Sequence, residues 1–419
     1  MEQYDIIVIG AGASGLIAAW QASLPGYRVL LVEKNRKAGV KLSITGKGRC
    51  NITNTATQAE FYKQIHPRPR FLKHAFSQFF SHDIIRLLNE SGVETVEERG
   101  GRVFPASGKA SDVVRALITR LKQQNVDIIY EAEVSRLLSE GNRATGIVLH
   151  QHGQSKQIQA RGIILCTGGK SYAATGSDGS GSTLTRSLGH TITPLRPALV
   201  PLETQEHIPS RIVDLTLKNV QAVVWIDGKK MHEAFGEMFF IPQGLSGPII
   251  LTLSRFIVDA LDNGQEVKVT IDLKPALDEK KLDNRLLRDI DHDSRKRMGN
   301  LFRKWLPAAF IPFFMDKAEI DPHKEAHQLE AKERKKIKML LKAFPFNITQ
   351  SRPFKEAIIT AGGVSTHEVD SKTLESKVIS NLYFAGEIMD LDGNTGGYNL
   401  QIAWSTGWLA GKSLTDALR

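Results

Sequence analysis

The chain has 419 residues, 41% of them apolar and 24% charged, enough for two or three domains with substantial cores. No apolar run approaches the roughly 18 to 20 residues of a membrane helix, and acidic Glu2 and Asp5 stand where a secretory leader carries basic residues, so a cytoplasmic protein without membrane contact is expected. A net charge of +10 suits a polyanionic partner as well as plain solubility, while two cysteines and twelve histidines without ligand spacing exclude a disulfide framework and predict no metal.

Residues 4–9 are a β-branched run ending at Gly10 and read as a buried parallel strand. A helix over 16–24, stopped at Pro25 and Gly26, and a strand over 28–32 complete a right-handed βαβ unit. Residues 34–69 read as an extended loop that opens with Lys34, Arg36, Lys37, Lys41, Lys47 and Arg49 before any acid, and long ordered loops are usually functional. Helical periodicity over 71–91 and 111–124 precedes strands at 127–130, 133–138, 144–149 and 162–166, of which the short ones predict an antiparallel excursion from the parallel sheet.

From about residue 194 the texture changes to alternating strands such as 220–226 and 266–271, and then to helix-compatible runs over 276–345 broken at Pro307, Pro312, Pro322 and Pro345. Between residues 274 and 342 eighteen Lys or Arg accompany twelve Asp or Glu, which fits either solvated helix faces or a polyanion-docking surface. A strand over 381–385, a glycine-rich loop and a helix over 398–417 return to the pattern of the first domain. The expected organisation is one discontinuous nucleotide-binding domain, 1–193 with 353–419, interrupted by 194–352, itself β-rich over 194–275 and helical and basic over 276–352.

Four motifs carry the chemistry. Gly10-Ala11-Gly12-Ala13-Ser14-Gly15 follows a strand and opens a helix, so it predicts a dinucleotide turn: Gly10 for the bend, Gly12 for pyrophosphate access, Gly15 for close helix packing. Glu33, 18 residues beyond Gly15, is positioned to accept hydrogen bonds from ribose hydroxyls. FAD and NAD share this fingerprint, and the C-terminus favours FAD. There Gly386-Glu387, Asp390 and Gly396-Gly397-Tyr398-Asn399-Leu400 form an acidic turn and a helix start, whose positive end would face a reduced flavin. The third motif, residues 42–54, contains Arg49, Cys50 and Asn51, and the fourth is Leu165-Cys166-Thr167-Gly168-Gly169, small residues that let backbone approach the dinucleotide. Lys34, Lys41 and Val134 complete the expected cofactor-binding set.

Thr45-Gly46-Lys47-Gly48-Arg49-Cys50-Asn51, Gly244-Leu245-Ser246-Gly247-Pro248, Ala361-Gly362-Gly363-Val364 and residues 385–399 together resemble the YhiN-type flavoproteins, also called BaiN-like or aminoacetone-oxidase-like. The resemblance covers essentially the whole chain. It implies an α/β Rossmann-type FAD-binding domain built from both chain ends, with an inserted β-barrel and helical region. Members of that family are linked to reduction of a ribosomal RNA uridine to dihydrouridine, reduction of unsaturated steroids and oxidation of aminoacetone, all compatible with hydride transfer at flavin N5.

The first expectation is therefore an NAD(P)H-dependent reductase acting on large-subunit ribosomal RNA, with NAD(P)H binding transiently and the basic insertion contacting phosphates. Arg68, Arg70 and Lys73 add to that surface, and Tyr172, Tyr398 or Trp404 is available to stack on a base, Trp404 being better suited to core packing. Cys50 is the candidate proton donor, with Arg49 tuning it, against the alternative of a buried packing thiol. Arg49 and Arg352 are alternatively anion holders. Two other classes remain: a small-molecule oxidase or ene-reductase, and a non-catalytic RNA-binding flavoprotein.

Overall fold

The computed structural model describes residues 2–24 and 26–419; Pro25, half of the expected helix stop, lies outside the described residues. The chain divides into two compact units, Met1–Arg196 with Ala357–Arg419, and Pro197–Glu356. The sequence places those joins at 193/194 and 352/353.

The first unit is a Rossmann-type α/β layer. Strand β1 (Glu2–Ile9) leads through helix α1 (Ala13–Ser23) to strand β2 (Val29–Val32). β1 pairs in parallel with β2 and with the strand Gln154–Leu165, β2 pairs in parallel with Asp127–Ile129, and Leu382–Phe384 pairs in parallel with Ile163–Leu165. Every residue of β2 is buried, as a strand covered on both faces requires.

Gln154–Leu165 is longer than the strand over 162–166 that the sequence predicts, because its first four residues, Gln-Ser-Lys-Gln, are exposed and carry no apolar signal. Those residues pair antiparallel with Arg143–Gln151, which pairs antiparallel with Ala132–Glu140. The excursion is thus an outward extension of a central strand. The predicted helix over 71–91 is two helices, Lys73–Gln78 and Ser81–Glu90, separated by an extended Phe79. The second starts where Asp83 accepts from the Phe80 amide at 2.8 Å, an N-cap that periodicity does not reveal. Residues 34–69 contain the short helices Val40–Ile44 and Gln58–Tyr62 and the two-residue strands Thr53–Asn54 and Ile65–His66, not the unbroken loop expected.

The last helix, Tyr398–Leu418, crosses α1 closely enough that a Cβ on Gly407 would sit 2.3 Å from the Ser14 carbonyl oxygen and one on Gly411 2.7 Å from that of Ala18. Small residues on both helices bring the two chain ends into one core.

The second unit is a closed six-stranded antiparallel barrel, in the order Leu202–Thr204, Gly244–Ser246, Lys229–Ile241, Thr216–Ile226, Val267–Asp272 and Phe344–Ser351. Helices Pro248–Asp262, Glu279–His292, Ile311–Ala318 and Ala331–Lys342 bury apolar faces in the same core, with Phe310, Phe314, Phe344 and Phe346 clustered in it. No helix among the described residues is long and apolar enough to cross a membrane.

Candidate active site

The turn between β1 and α1 is built for close backbone approach. Gly10 has φ +98, and a Cβ on Gly15 would lie 1.8 Å from the Gly10 carbonyl oxygen, so helix and turn touch through backbone alone. A Cβ on Gly12 would meet nothing within 4 Å, which leaves open space over the helix start. The N-cap of α1, Gly12, has no side chain to bond the first N–H groups, which keep the partial positive charge that attracts a phosphate. Glu33 is 7% exposed, with Oε2 accepting from the Ala11 amide and Oε1 from the amide and side chain of Asn35, each at 2.8 Å. Those bonds orient the carboxylate and leave lone pairs for ribose hydroxyls. Lys34 pairs with Asp178 at 2.7 Å.

A second cluster forms where residues far apart in the chain converge. Lys41 Nζ lies 2.8 Å from both Glu387 Oε2 and Ser171 Oγ, and Glu387 Oε1 accepts from the Thr360 amide at 2.9 Å and from Ser171 Oγ at 3.1 Å. Gly169 packs beneath it, since a Cβ there would come within 2.8 Å of Glu387 Oε1. Sequence reasoning selected Lys41 and Glu387 but missed Ser171 and Thr360, which hold them. Their positions beside Gly168-Gly169 and Ala361-Gly362-Gly363 were the available signal.

The segment 45–54 lies under the start of the last helix. Lys47 and Cys50 both adopt left-handed backbone, with φ 58 and 59. Asn51, its amide oriented to satisfy both partners, donates to the Thr53 carbonyl and accepts from the Gly397 amide, each at 3.1 Å. Thr53 Oγ1 donates to Gln401 at 2.6 Å, and Trp404 Nε1 donates to the Ile52 carbonyl at 2.9 Å. Trp404 is fully buried and is a core residue. Cys50 is also fully buried, and burial, partly offset by a hydrogen bond with Thr45, pushes its thiol up to about 12. Arg49 does not tune it: the guanidinium pairs with Glu98 and stacks over Phe104 at 4.3 Å. Arg352 is held by Glu203 and Glu356 in the second unit, which keep it firmly protonated.

The glycine turn, Glu33 and the Lys41–Glu387 pair line an open cleft in the first unit of about 1330 Å³, counting space open to solvent. Gly10, Gly12, Ala13, Ser14, Glu33, Lys34, Lys41, Val134, Thr167, Gly168, Glu387, Asn399 and Leu400 line it. Gly15, Arg49, Cys50, Asn51, Gly169, Gly386, Asp390, Gly396, Gly397 and Tyr398 stand outside the lining. Cys166 lines the cleft, with burial pushing its thiol up to about 12. Thr167 Oγ1 is a cleft hydroxyl and Asp390 Oδ1 a buried carboxylate oxygen, each without a hydrogen-bond partner among the described residues. A cleft lined by a glycine turn and an oriented acid, and by a Lys–Glu pair and a helix start, offers the groups that an FAD dinucleotide needs.

A family model described as HI0933-like protein Rossmann domain matches residues 4–413. The 3-dehydro-bile acid delta(4,6)-reductase of Clostridium scindens is 32% identical over 411 residues, 98% of each chain. The ribosomal RNA dihydrouridine synthase of Escherichia coli is 29% identical over 417 residues, 100% of this chain and 99% of that one. Among solved structures, a 3-ketosteroid-delta4-(5alpha)-dehydrogenase from Rhodococcus jostii shares the fold with a TM-score of 0.51 at 15% identity, over 99% of this chain and 97% of that one. By the match of nearly its whole length, the chain belongs to the HI0933-like family of FAD-dependent oxidoreductases.

Proposed function

We propose that the chain is an NAD(P)H-dependent reductase of an activated carbon–carbon double bond, with a uridine of large-subunit ribosomal RNA as its substrate. The observation that carries the reading is the cleft itself, with open space over Gly12 and the Lys41–Glu387 pair in the same lining. FAD, when bound, supplies the hydride-transfer centre. The chain's own residues do the rest. The N–H groups at the start of α1 hold the pyrophosphate, Glu33 accepts from the ribose, and Glu387, braced by Lys41, Ser171 and Thr360, presents a fixed acceptor to the linking chain. The start of Tyr398–Leu418, whose N-cap Gly397 carries no side chain to bond the first N–H groups, would favour negative charge developing on a bound ring system.

The two relatives carry names for different substrates but one chemistry, since dihydrouridine is uridine with its C5–C6 bond reduced and a delta(4,6) steroid is likewise an unsaturated ring. The RNA substrate is favoured by a basic stretch beside the cleft, taken up below. A small unsaturated ketone is the second reading, favoured by one observation in the insertion. Ten of the eighteen Lys and Arg between residues 274 and 342 are neutralised within the chain, including Lys296 and Lys304 by Asp293, and Arg334 and Lys338 by Asp283.

The test is a dihydrouridine map of large-subunit ribosomal RNA from cells with and without the gene, together with a flavin spectrum of the purified protein. Loss of one dihydrouridine, restored by the gene but not by a Gly12→Ala variant, is the expected result. An unchanged map, with NAD(P)H-driven turnover of an unsaturated 3-ketosteroid, would replace the RNA with the small molecule.

A further inference from the structure

Residues 61–82 contain Lys63, Arg68, Arg70 and Lys73 and not one Asp or Glu. The acids that flank this stretch are both occupied as helix caps. Glu60 accepts from the Thr57 amide and hydroxyl at 2.8 Å, and Asp83 accepts from the Phe80 amide. Lys63, Arg68, Arg70 and Lys73 are all exposed, and among the described residues none of the four makes an ion pair. Arg68 donates to the Thr366 hydroxyl at 3.3 Å, a neutral partner. In the loop that follows β2, Lys34, Arg36, Lys41 and Arg49 are each matched to a carboxylate, and so are ten of the eighteen Lys and Arg between residues 274 and 342, where acids are interspersed with the bases.

The placement of this basic stretch is fixed by four contacts. Phe61 packs edge-on against Tyr398, the first residue of the last helix, with ring centroids 4.8 Å apart. The Gln64 carbonyl accepts from the Asn394 amide at 2.8 Å, and its side chain accepts from the Asn394 side chain at 2.9 Å. Ile65 and His66 pair antiparallel with Gly393 and Asp392. Residues 392–398 join Leu391 to Asn399 and Leu400, all three of which line the cleft. Tyr62 stacks on Phe76, so the helix carrying Lys73 is braced against the same segment.

We infer that residues 63–73, and not the inserted unit, are the docking surface for the phosphate backbone of the RNA, holding it beside the part of the cleft where the reaction occurs. The inference rests on the RNA reading proposed above. Free cations attract phosphates by releasing condensed counterions, whereas cations already matched to carboxylates have little charge left to offer. Attachment to the Leu391–Leu400 wall makes the docking surface and the cleft one rigid piece, so a backbone held there presents a flipped base at a fixed distance.

The test measures binding of an unmodified in-vitro transcript of large-subunit ribosomal RNA as a function of salt, with its dihydrouridine content after incubation with NAD(P)H. Three flavin-loaded proteins are compared: wild type, K63Q/R70Q/K73Q, and an insertion control, R295Q/R303Q/K335Q. FAD content by absorbance checks that each is folded and loaded. The first variant is expected to lose about 2.7 from the slope of log affinity against log salt, roughly 0.9 for each cation removed. Across a fourfold rise in salt the wild type then loses about 40-fold more affinity than that variant, while the insertion control keeps the wild-type slope. If the insertion control loses the slope and the first variant keeps it, the docking surface is misassigned and the RNA reading stands. A wild-type protein that neither binds nor reduces the transcript removes the RNA reading and this inference with it.

Discussion

Lys41 Nζ lies 2.8 Å from Glu387 Oε2, joining residues 346 positions apart in the chain. Their side chains are 21% and 17% exposed, so the pair is only partly screened by water. Each of Lys41→Met and Glu387→Gln is expected to lower the unfolding midpoint and weaken FAD retention. In the double variant the losses should fall short of additivity by about 1 to 2 kcal/mol, because the second substitution removes a charge already without its partner. Denaturant unfolding of all four proteins measures the coupling, and strictly additive losses would mean that the two residues act independently.

Gly12 and Gly15 sit in the same motif and should respond oppositely to alanine. A Cβ at Gly12 meets nothing, so Gly12→Ala should fold with near-wild-type stability and bind FAD at least about tenfold more weakly, since the methyl occupies ligand space. A Cβ at Gly15 would be 1.8 Å from the Gly10 carbonyl oxygen, and Gly15→Ala should not yield soluble folded protein. Circular dichroism with flavin fluorescence separates the two outcomes. Equal behaviour of the two variants would contradict the assigned roles.

Cys50 is fully buried with its thiol pushed up to about 12, and Cys166 is 4% exposed with a thiol equally high. Neither is expected to react with a thiol reagent at pH 8 until the protein unfolds. Cys50→Ala should keep turnover within a few-fold of wild type, with no thiol ionisation in the rate profile between about pH 6 and 9. A loss of a hundredfold or more without loss of FAD would restore Cys50 as the proton donor.

His190 has a fully buried side chain, with Nδ1 3.3 Å from Glu368 Oε2, Nε2 2.9 Å from Ser376 Oγ, and its ring edge-on to Phe384. Burial, only partly offset by the Glu368 carboxylate, holds its pKa below the ordinary 6.5. The folded state therefore prefers neutral His190. The stability this contributes is complete above pH 6.5 and is lost as pH falls from 6.5 toward the depressed value. Burial pushes Glu368 up, but hydrogen bonds from Thr191 and the contact with His190 outweigh it and hold its pKa below 4.5, so its contribution is lost only at more acid pH. His190→Gln should flatten the decline of stability just below pH 6.5 and leave the later acid limb in place. Unfolding midpoints across that range decide it, and an unchanged first limb would assign the decline to other groups.

Local patterns made much of this molecule readable. The β-branched run before Gly10 and the spacing of the three glycines depend on interactions within thirty residues, and backbone period and steric room leave little choice there. Helix and strand lengths were less legible. The front of Gln154–Leu165 is polar because it leaves the core, and the break at Phe79 occurs between two buried aromatics that look continuous in the sequence. The motif around Cys50 was recognisable as a motif, but not the direction of its side chains. Left-handed backbone at Lys47 and Cys50 turns the thiol inward and sends Arg49 to Glu98.

Family, fold class and the glycine turn were therefore available from the order of residues alone, since each rests on short-range geometry or on several motifs recurring in order. Which charges are spent and which remain free was not. Arg334 and Lys338 find Asp283, and Lys41 finds Glu387, through packing of elements distant in the chain, while among the described residues Lys63, Arg70 and Lys73 make no ion pair. A linear count of charge registers all of these residues alike. Coulomb energy depends on separation in space and on the water between the charges, and both are set when the segments pack.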